Sequence, residues 1–213
     1  MNKFIFHCIA VGLFIATAAV GEDKVPLKTD WPKAQVTGTP VPFVIPKLEP
    51  EQKTARTDFM VPVGTVNLAK GKKATASSGD PVMGTLDLIT DGDKAGEDGS
   101  WVELNPGKQW VQIDLEKIAA ISAVMVWHYH SQVRVYHDIL VQVSNDPKFE
   151  KAVTTIYDNS ENGKDLPYIE TNFGKLIDAK GAKGRYVRLY SNGNTASKMN
   201  NYIEVEVFGK PVA

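Results

Sequence analysis

Cysteine is nearly missing from this chain of 213 residues: the single one, Cys8, sits inside an apolar N-terminal run. Past that run no thiol remains, which excludes disulfide staples, a cysteine nucleophile and a thiolate metal site. A basic excess is lacking as well. With 24 Lys and Arg against 25 Asp and Glu, for a net charge of -1, the chain has none of the surplus that binding to nucleic acid or an anionic membrane draws on. The patterns G-x-S-x-G and H-E-x-x-H and glycine-rich phosphate loops are absent, so no familiar catalytic motif argues for an enzyme. Histidine is scarce, with four residues, yet His128, His130 and His137 fall in one short stretch, WHYHSQVRVYHD. That concentration is the best functional clue in the chain.

Residues 1–21 carry Lys3 and then FIFHCIAVGLFIATAAV, which ends in small residues in the manner of a secretory signal peptide. The run is short for a membrane span and lacks a basic stop-transfer flank, so cleavage near Ala18 or Gly21 is expected to leave an exported protein, periplasmic or extracellular, with no span. His7 precedes Cys8 where a lipid-modified cysteine would need a small residue.

Residues 22–63 hold Pro26, Pro32, Pro40, Pro42, Pro46, Pro50 and Pro62, too many for a long helix or a central strand. An extended proline-rich arm is expected. Trp31, Phe43, Val44, Ile45, Phe59 and Met60 are more apolar than a solvated linker needs, which points to docking against the following domain.

From residue 64 to 213 the pattern is short alternating strands between Gly, Asn and Asp turns, with no helical periodicity beyond about two turns. Val111, Ile113 and Leu115; Ile139, Val141 and Val143; Val187 and Leu189; and Ile203, Val205 and Val207 each predict a strand with one buried face. Connections this short suit antiparallel pairing. The fold class read from the pattern is all-β, with room for about eight strands in a sandwich or jelly roll.

Five stretches taken in order, VNLAKGKKATASS, LITDGD, QWVQIDL, VQVSNDPKF with GRYVRLY, and NYIEVEVFG, resemble the discoidin, or coagulation factor 5/8 type C, domain. The resemblance runs from about Val66 to Lys210. It implies an eight-stranded antiparallel jelly-roll sandwich of the galactose-binding-like kind, and a non-catalytic binding module whose loops at one end hold sugars, phospholipid head groups or proteins. Bacterial secreted members resemble carbohydrate-binding modules. The DGDKAGEDGSW stretch is longer than the family's usual segment, and the HYH run is unusual for it.

His128, Tyr129, His130, Arg134, Tyr136 and His137 therefore form a candidate sugar site, in which rings face the C–H side of a pyranose while imidazole and guanidinium donors fix hydroxyls. By resemblance Asn192 and Asn194 join them. Two other readings compete: the rings and imidazoles are packing and turn-capping groups, or His128, His130 and His137 converge on a transition metal. Asp91 and Asp93, flanking a glycine in a tight turn, suit calcium, and the resemblance adds Glu204 and Ser100 as further ligands of a structural calcium. The acidic run DNSENGKD (158–165) offers a carboxylate pair but reads better as a solvated loop. A carbohydrate or cell-surface glycan is the expected partner, and another exported protein the alternative.

Overall fold

A computed structural model describes residues 22–36 and 42–212. The expected leader over 1–21, with His7 and Cys8, lies outside the described residues, as does Pro40. Two short strands, β1 (Lys24–Pro26) and β2 (Met60–Pro62), pair antiparallel as a separate sheet. The other strands are β3 (Val66–Asn67), β4 (Ala74–Ala76), β5 (Val102–Leu104), β6 (Gln109–His128), β7 (Leu140–Ser144), β8 (Thr154–Asp158), β9 (Lys175–Ser191) and β10 (Asn200–Pro211). They make one eight-stranded antiparallel sheet in the order β3-β10-β6-β9-β7-β8, with β4 added on β6 and β5 on β10. The only helix among the described residues is a 3-10 turn, Leu86–Thr90.

The sheet becomes sandwich-like because its two longest strands bend. Residues 109–114 of β6 pair with the end of β9 and with β4, whereas residues 119–126 pair with the start of β9 and with β10. At the break Glu116 takes a positive φ of 65°, and at the second irregularity of the ladder, opposite Ile121 and Ala123, Lys180 has 51°. Asp114 locks the corner by pairing with Arg185 at 2.7 Å and by accepting from the Glu116 N–H at 2.7 Å. A β-bulge of this kind re-aims a strand at the cost of a few ladder hydrogen bonds.

Alternation then fills the interior. Val111, Ile113, Val124, Val126, Val141, Val143, Val187, Leu189, Val205 and Val207 all belong to one buried cluster, in agreement with the period-two reading. The expectation of a single buried face does not hold for β10, where a bulge between Tyr202 and Glu204 sends Ile203 to a different cluster from Val205 and Val207 and where Glu204 and Glu206 are buried as well. The 119–128 half of β6 is likewise buried on both sides, Ala123, Met125 and Trp127 lying opposite Val124 and Val126. The cause is a second cluster, in which Leu27 and Val61, with Trp31 and Phe59 at its edge, cover Met125, Trp127 and Phe208. Gly174 makes room for that indole: its φ is +64°, and a Cβ there would lie 2.5 Å from the Trp127 ring.

Candidate functional site

Strand β6 delivers its last residues to one end of the sandwich, and its alternation decides which of them face inward. His128, one residue past Trp127, points to the other side, into the main cluster that holds Tyr136 and Tyr202. It is fully buried, its Nδ1–H donates to Glu170 Oε1 at 2.6 Å, and its ring stacks on Tyr136 at 4.4 Å and leans on Tyr202 at 4.8 Å. Tyr136, expected at the ligand, is likewise an interior side chain. Its hydroxyl donates to Asn201 Oδ1 at 3.1 Å, and burial pushes that phenol well above its ordinary range.

His130 is buried with Nε2 donating to the Lys94 carbonyl at 2.9 Å, whereas His137 is exposed. The three imidazoles thus go to three different surroundings, and among the described residues no group of three or more His, Cys, Asp or Glu is placed to hold a metal ion. The convergence on a transition metal read from H-x-H fails because the strand ends at His128, so the residues beyond it no longer share its faces. Asn194 is buried and its Oδ1 accepts from the Ala196 and Ser197 N–H groups at 2.9 and 3.0 Å. Asn192 is exposed and donates to Asp138 Oδ2 at 2.8 Å. Both asparagines shape the 192–199 turn.

The side chains that do meet at the surface are Tyr129 and Arg134 from the loop, joined by residues the sequence reading passed over. The Arg134 guanidinium lies 4.5 Å above the Tyr129 ring, and the Tyr129 ring meets Trp101 edge-on at 4.7 Å. Arg134 donates through Nη1 to Asn201 Oδ1 at 3.2 Å and through Nη2 to Gln132 Oε1 at 2.7 Å. Asn201 Nδ2 in turn donates to Glu103 Oε2 at 2.9 Å. Exposed Val82 and Met83 border this group, Met83 bridging to Glu103 through the main chain. Two rings, a guanidinium, two amides and a carboxylate therefore share one half-buried surface, the mixture of apolar faces and orienting polar groups that small-molecule sites use. The pairing of Glu103 with Asn201 follows from the β5–β10 register, which a single sequence does not display.

The acidic turn has a different character. Asp91 Oδ1 accepts from the Asp93 N–H at 2.7 Å and Asp93 Oδ1 from the Ala95 N–H at 2.9 Å, and both side chains are exposed. Ser100 donates to the Glu97 carbonyl at 2.7 Å, closing its own turn. Glu204 is fully buried. Its Oε2 accepts from the Gly92 N–H at 3.1 Å, while Oε1 has no hydrogen-bond partner among the described residues. Burial, reinforced by the negative charges of Glu206 and Asp91 and only partly offset by the Gly92 N–H, pushes this carboxyl up to about 9. A buried carboxyl with one unpartnered oxygen thus lies beside the acidic turn, but among the described residues Asp91, Asp93 and Glu204 do not converge as a set of three metal ligands, and Ser100, committed to Glu97, does not join them.

Two further clefts lie elsewhere. One of about 380 Å³ opens between Val36 and Gln52 on one side and Val133, Ile169 and Phe173 on the other. Another of about 400 Å³ contains the acidic run, where Asp165 Oδ2 accepts from the Asp158 N–H at 2.7 Å and Asp158 Oδ1 from the Ser160 hydroxyl at 2.6 Å. The carboxylates of that run hold their own loop.

The family described as F5_F8_type_C_2, NedA-like, galactose-binding domain, matches residues 88–189. Those residues are a discoidin-like galactose-binding domain. The match spans β5 to most of β9 and contains Trp101, Glu103, Tyr129 and Arg134, while Asn201 and Glu204 lie beyond it. Curated proteins give no match. Among solved structures, a family 89 glycoside hydrolase from Clostridium perfringens, in complex with 2-acetamido-1,2-dideoxynojirmycin, aligns with a TM-score of 0.54 at 22% identity over 69% of this chain and 15% of its own. The chain thus spans only a small part of that enzyme's length. The CBM32 of AlyQ in complex with 4,5-unsaturated mannuronic acid aligns at 0.51 with 20% identity over 64% of this chain and 93% of its own. The lectin domain of lectinolysin complexed with Lewis B antigen aligns at 0.51 with 23% identity over 70% and 98%. At such identities the likeness establishes the fold alone: a β-sandwich like that of carbohydrate-binding and lectin modules.

Proposed function

We propose that this discoidin-like jelly roll is an exported carbohydrate-binding module, and that its saccharide lies on the surface made by Trp101, Tyr129, Arg134 and Glu103. The observation that carries this reading is the Arg134 guanidinium, held over Tyr129 at 4.5 Å and fixed by Asn201 and Gln132. A guanidinium so fixed loses little freedom when it donates to a hydroxyl. Trp101 supplies an aromatic ring for the C–H side of a sugar, and Glu103 supplies an acceptor for hydroxyl donors. His128 and Tyr136 support the loop from inside and do not touch the ligand. Export rests on the leader-like sequence of residues 1–21.

A glycan array probed with the mature protein tests the reading. Arg134→Ala and Trp101→Ala are each expected to weaken the best-bound glycan about ten- to hundredfold, the scale of one lost charge-assisted hydrogen bond or one lost ring contact. A blank array with the parent protein would instead favour docking onto another exported protein.

We also propose a structural calcium held by Glu204 with Asp91. It would supply the positive charge that the buried carboxylate lacks. An ion that binds only the folded state raises the melting temperature as its concentration rises, so equal melting curves in millimolar calcium and in excess chelator would remove it.

A further inference from the structure

Residues 22–63 lie outside the stretch that matches the family, yet they reach its ligand loop through a continuous set of contacts. We propose that residues 29–35 are a positioning strap for the loop that carries Tyr129 and Arg134, acting through the turn at residues 94–97. The functional half of this inference rests on the carbohydrate reading above.

On one side the strap grips that turn. The Lys94 ammonium, buried over the Trp127 ring at 5.2 Å, donates to Asp30 Oδ1 at 2.5 Å and pairs with Glu206 Oε1 at 2.9 Å. Thr29 donates to the other oxygen of Glu206 at 2.8 Å. Gln35 Nε2 donates to Glu97 Oε1 at 3.0 Å. The Pro32 carbonyl accepts from Asn172 Nδ2 at 2.8 Å, and the Asn172 carbonyl from the Trp127 indole N–H at 3.0 Å, so the strap is pinned at a second place.

On its other side the same turn holds the loop. The carbonyls of Lys94 and Gly96 accept from His130 Nε2 at 2.9 Å and from the Ser131 hydroxyl at 2.8 Å. The packing leaves no slack: a Cβ on Gly96 would stand 3.1 Å from Ser131 Oγ and 3.2 Å from His130 Cε1. His130 and Ser131 lie between Tyr129 and Arg134 in sequence. The Glu97 carbonyl also accepts from the Ser100 N–H at 3.0 Å, which sets the approach to Trp101. Every ring and charge of the proposed site is thus within a few bonds of a group the strap fixes.

A loop held mainly by such contacts samples other conformations when they are cut, and apparent affinity falls by the fraction of time the binding shape is lost. The test is made on the whole mature protein carrying Asp30→Ala and Gln35→Ala together, since both side chains lie at the surface and the apolar anchors Leu27 and Phe59 stay. Amide hydrogen exchange at residues 94–97 and 129–134 is expected to quicken about tenfold while residues 121–126 of β6 keep the parent rate. Affinity for galactose or fucose, whichever the parent binds, is expected to fall about tenfold. Asp30→Glu with Gln35 intact, which keeps a carboxylate near Lys94, should restore both. Unchanged exchange at 129–134 overturns the proposal, and so does faster exchange with undiminished sugar affinity. A parent that binds neither sugar counts against the carbohydrate reading, and exchange alone then decides whether the strap holds the loop.

Discussion

Glu204 stores a pH dependence that a single side chain can report. In an unfolded chain it titrates near 4.5, and burial raises it to about 9 in the fold. Between those values the folded state keeps a proton that the unfolded state has lost. The stability this group contributes is therefore fully present below about pH 4.5 and is lost as pH climbs toward about 9. In chelator, the melting temperature of the parent should fall from pH 5 to pH 9 more steeply than that of Glu204→Gln, whose amide cannot ionise. Added calcium should remove the difference in the parent alone, because a bound ion favours the charged form. Parallel curves for parent and variant would show that the carboxyl has no such role. The sequence marked Glu204 only by resemblance, since its burial depends on a strand register and a covering turn that no local pattern reveals. Arg134 and Tyr129 were legible as surface groups, while His128 and Tyr136 were misplaced because an aromatic at a strand end looks the same whether it turns in or out.

At the scale of elements, the strands were readable and their covering was not. Val205 and Val207 alternate with Glu204 and Glu206, a pattern that reads as one face in the core and one in water. In the structure both faces are covered, and Glu206 meets Lys94 at 2.9 Å under the N-terminal segment. Docking was expected from Trp31, Phe43, Val44, Ile45, Phe59 and Met60; Trp31 and Phe59 do pack on the domain, whereas Val44 and Met60 are exposed, and the polar partners, Asp30 with Lys94 and Glu49 with Lys175 at 2.6 Å, come from residues far apart in sequence. Deleting residues 22–57 would remove Leu27 and Trp31 and so partly uncover Met125, Trp127 and Phe208. Full exposure of such side chains costs about 1.5–3 kcal/mol each; uncovering about half of the surface of the three amounts to a fall in melting temperature of roughly 10 °C for a domain of this size. A truncated protein that melts with the parent, followed by circular dichroism, would mean that the segment is a spacer.

At the scale of the whole molecule, the near-neutral charge separates a neutral glycan from an anionic partner. Net charge is -1, and the proposed site sets Glu103 close to Arg134 through Asn201, so the surface there carries both signs. Hydrogen bonds to sugar hydroxyls exchange one set of neutral partners for another and release few counterions. A polyanionic ligand behaves differently, since each charge it has neutralised lowers affinity roughly eightfold for a tenfold rise in salt. Titrations at 50 and 500 mM sodium chloride should accordingly give dissociation constants within about threefold of each other for a neutral glycan, because contacts between exposed charges are already screened beyond a few ångströms at the higher salt. A loss of about eightfold, absent in Arg134→Ala, would mean that the guanidinium is a charge clamp for an acidic partner. Trp101 would then be expected to matter little, and the neutral-sugar reading would give way at the same site.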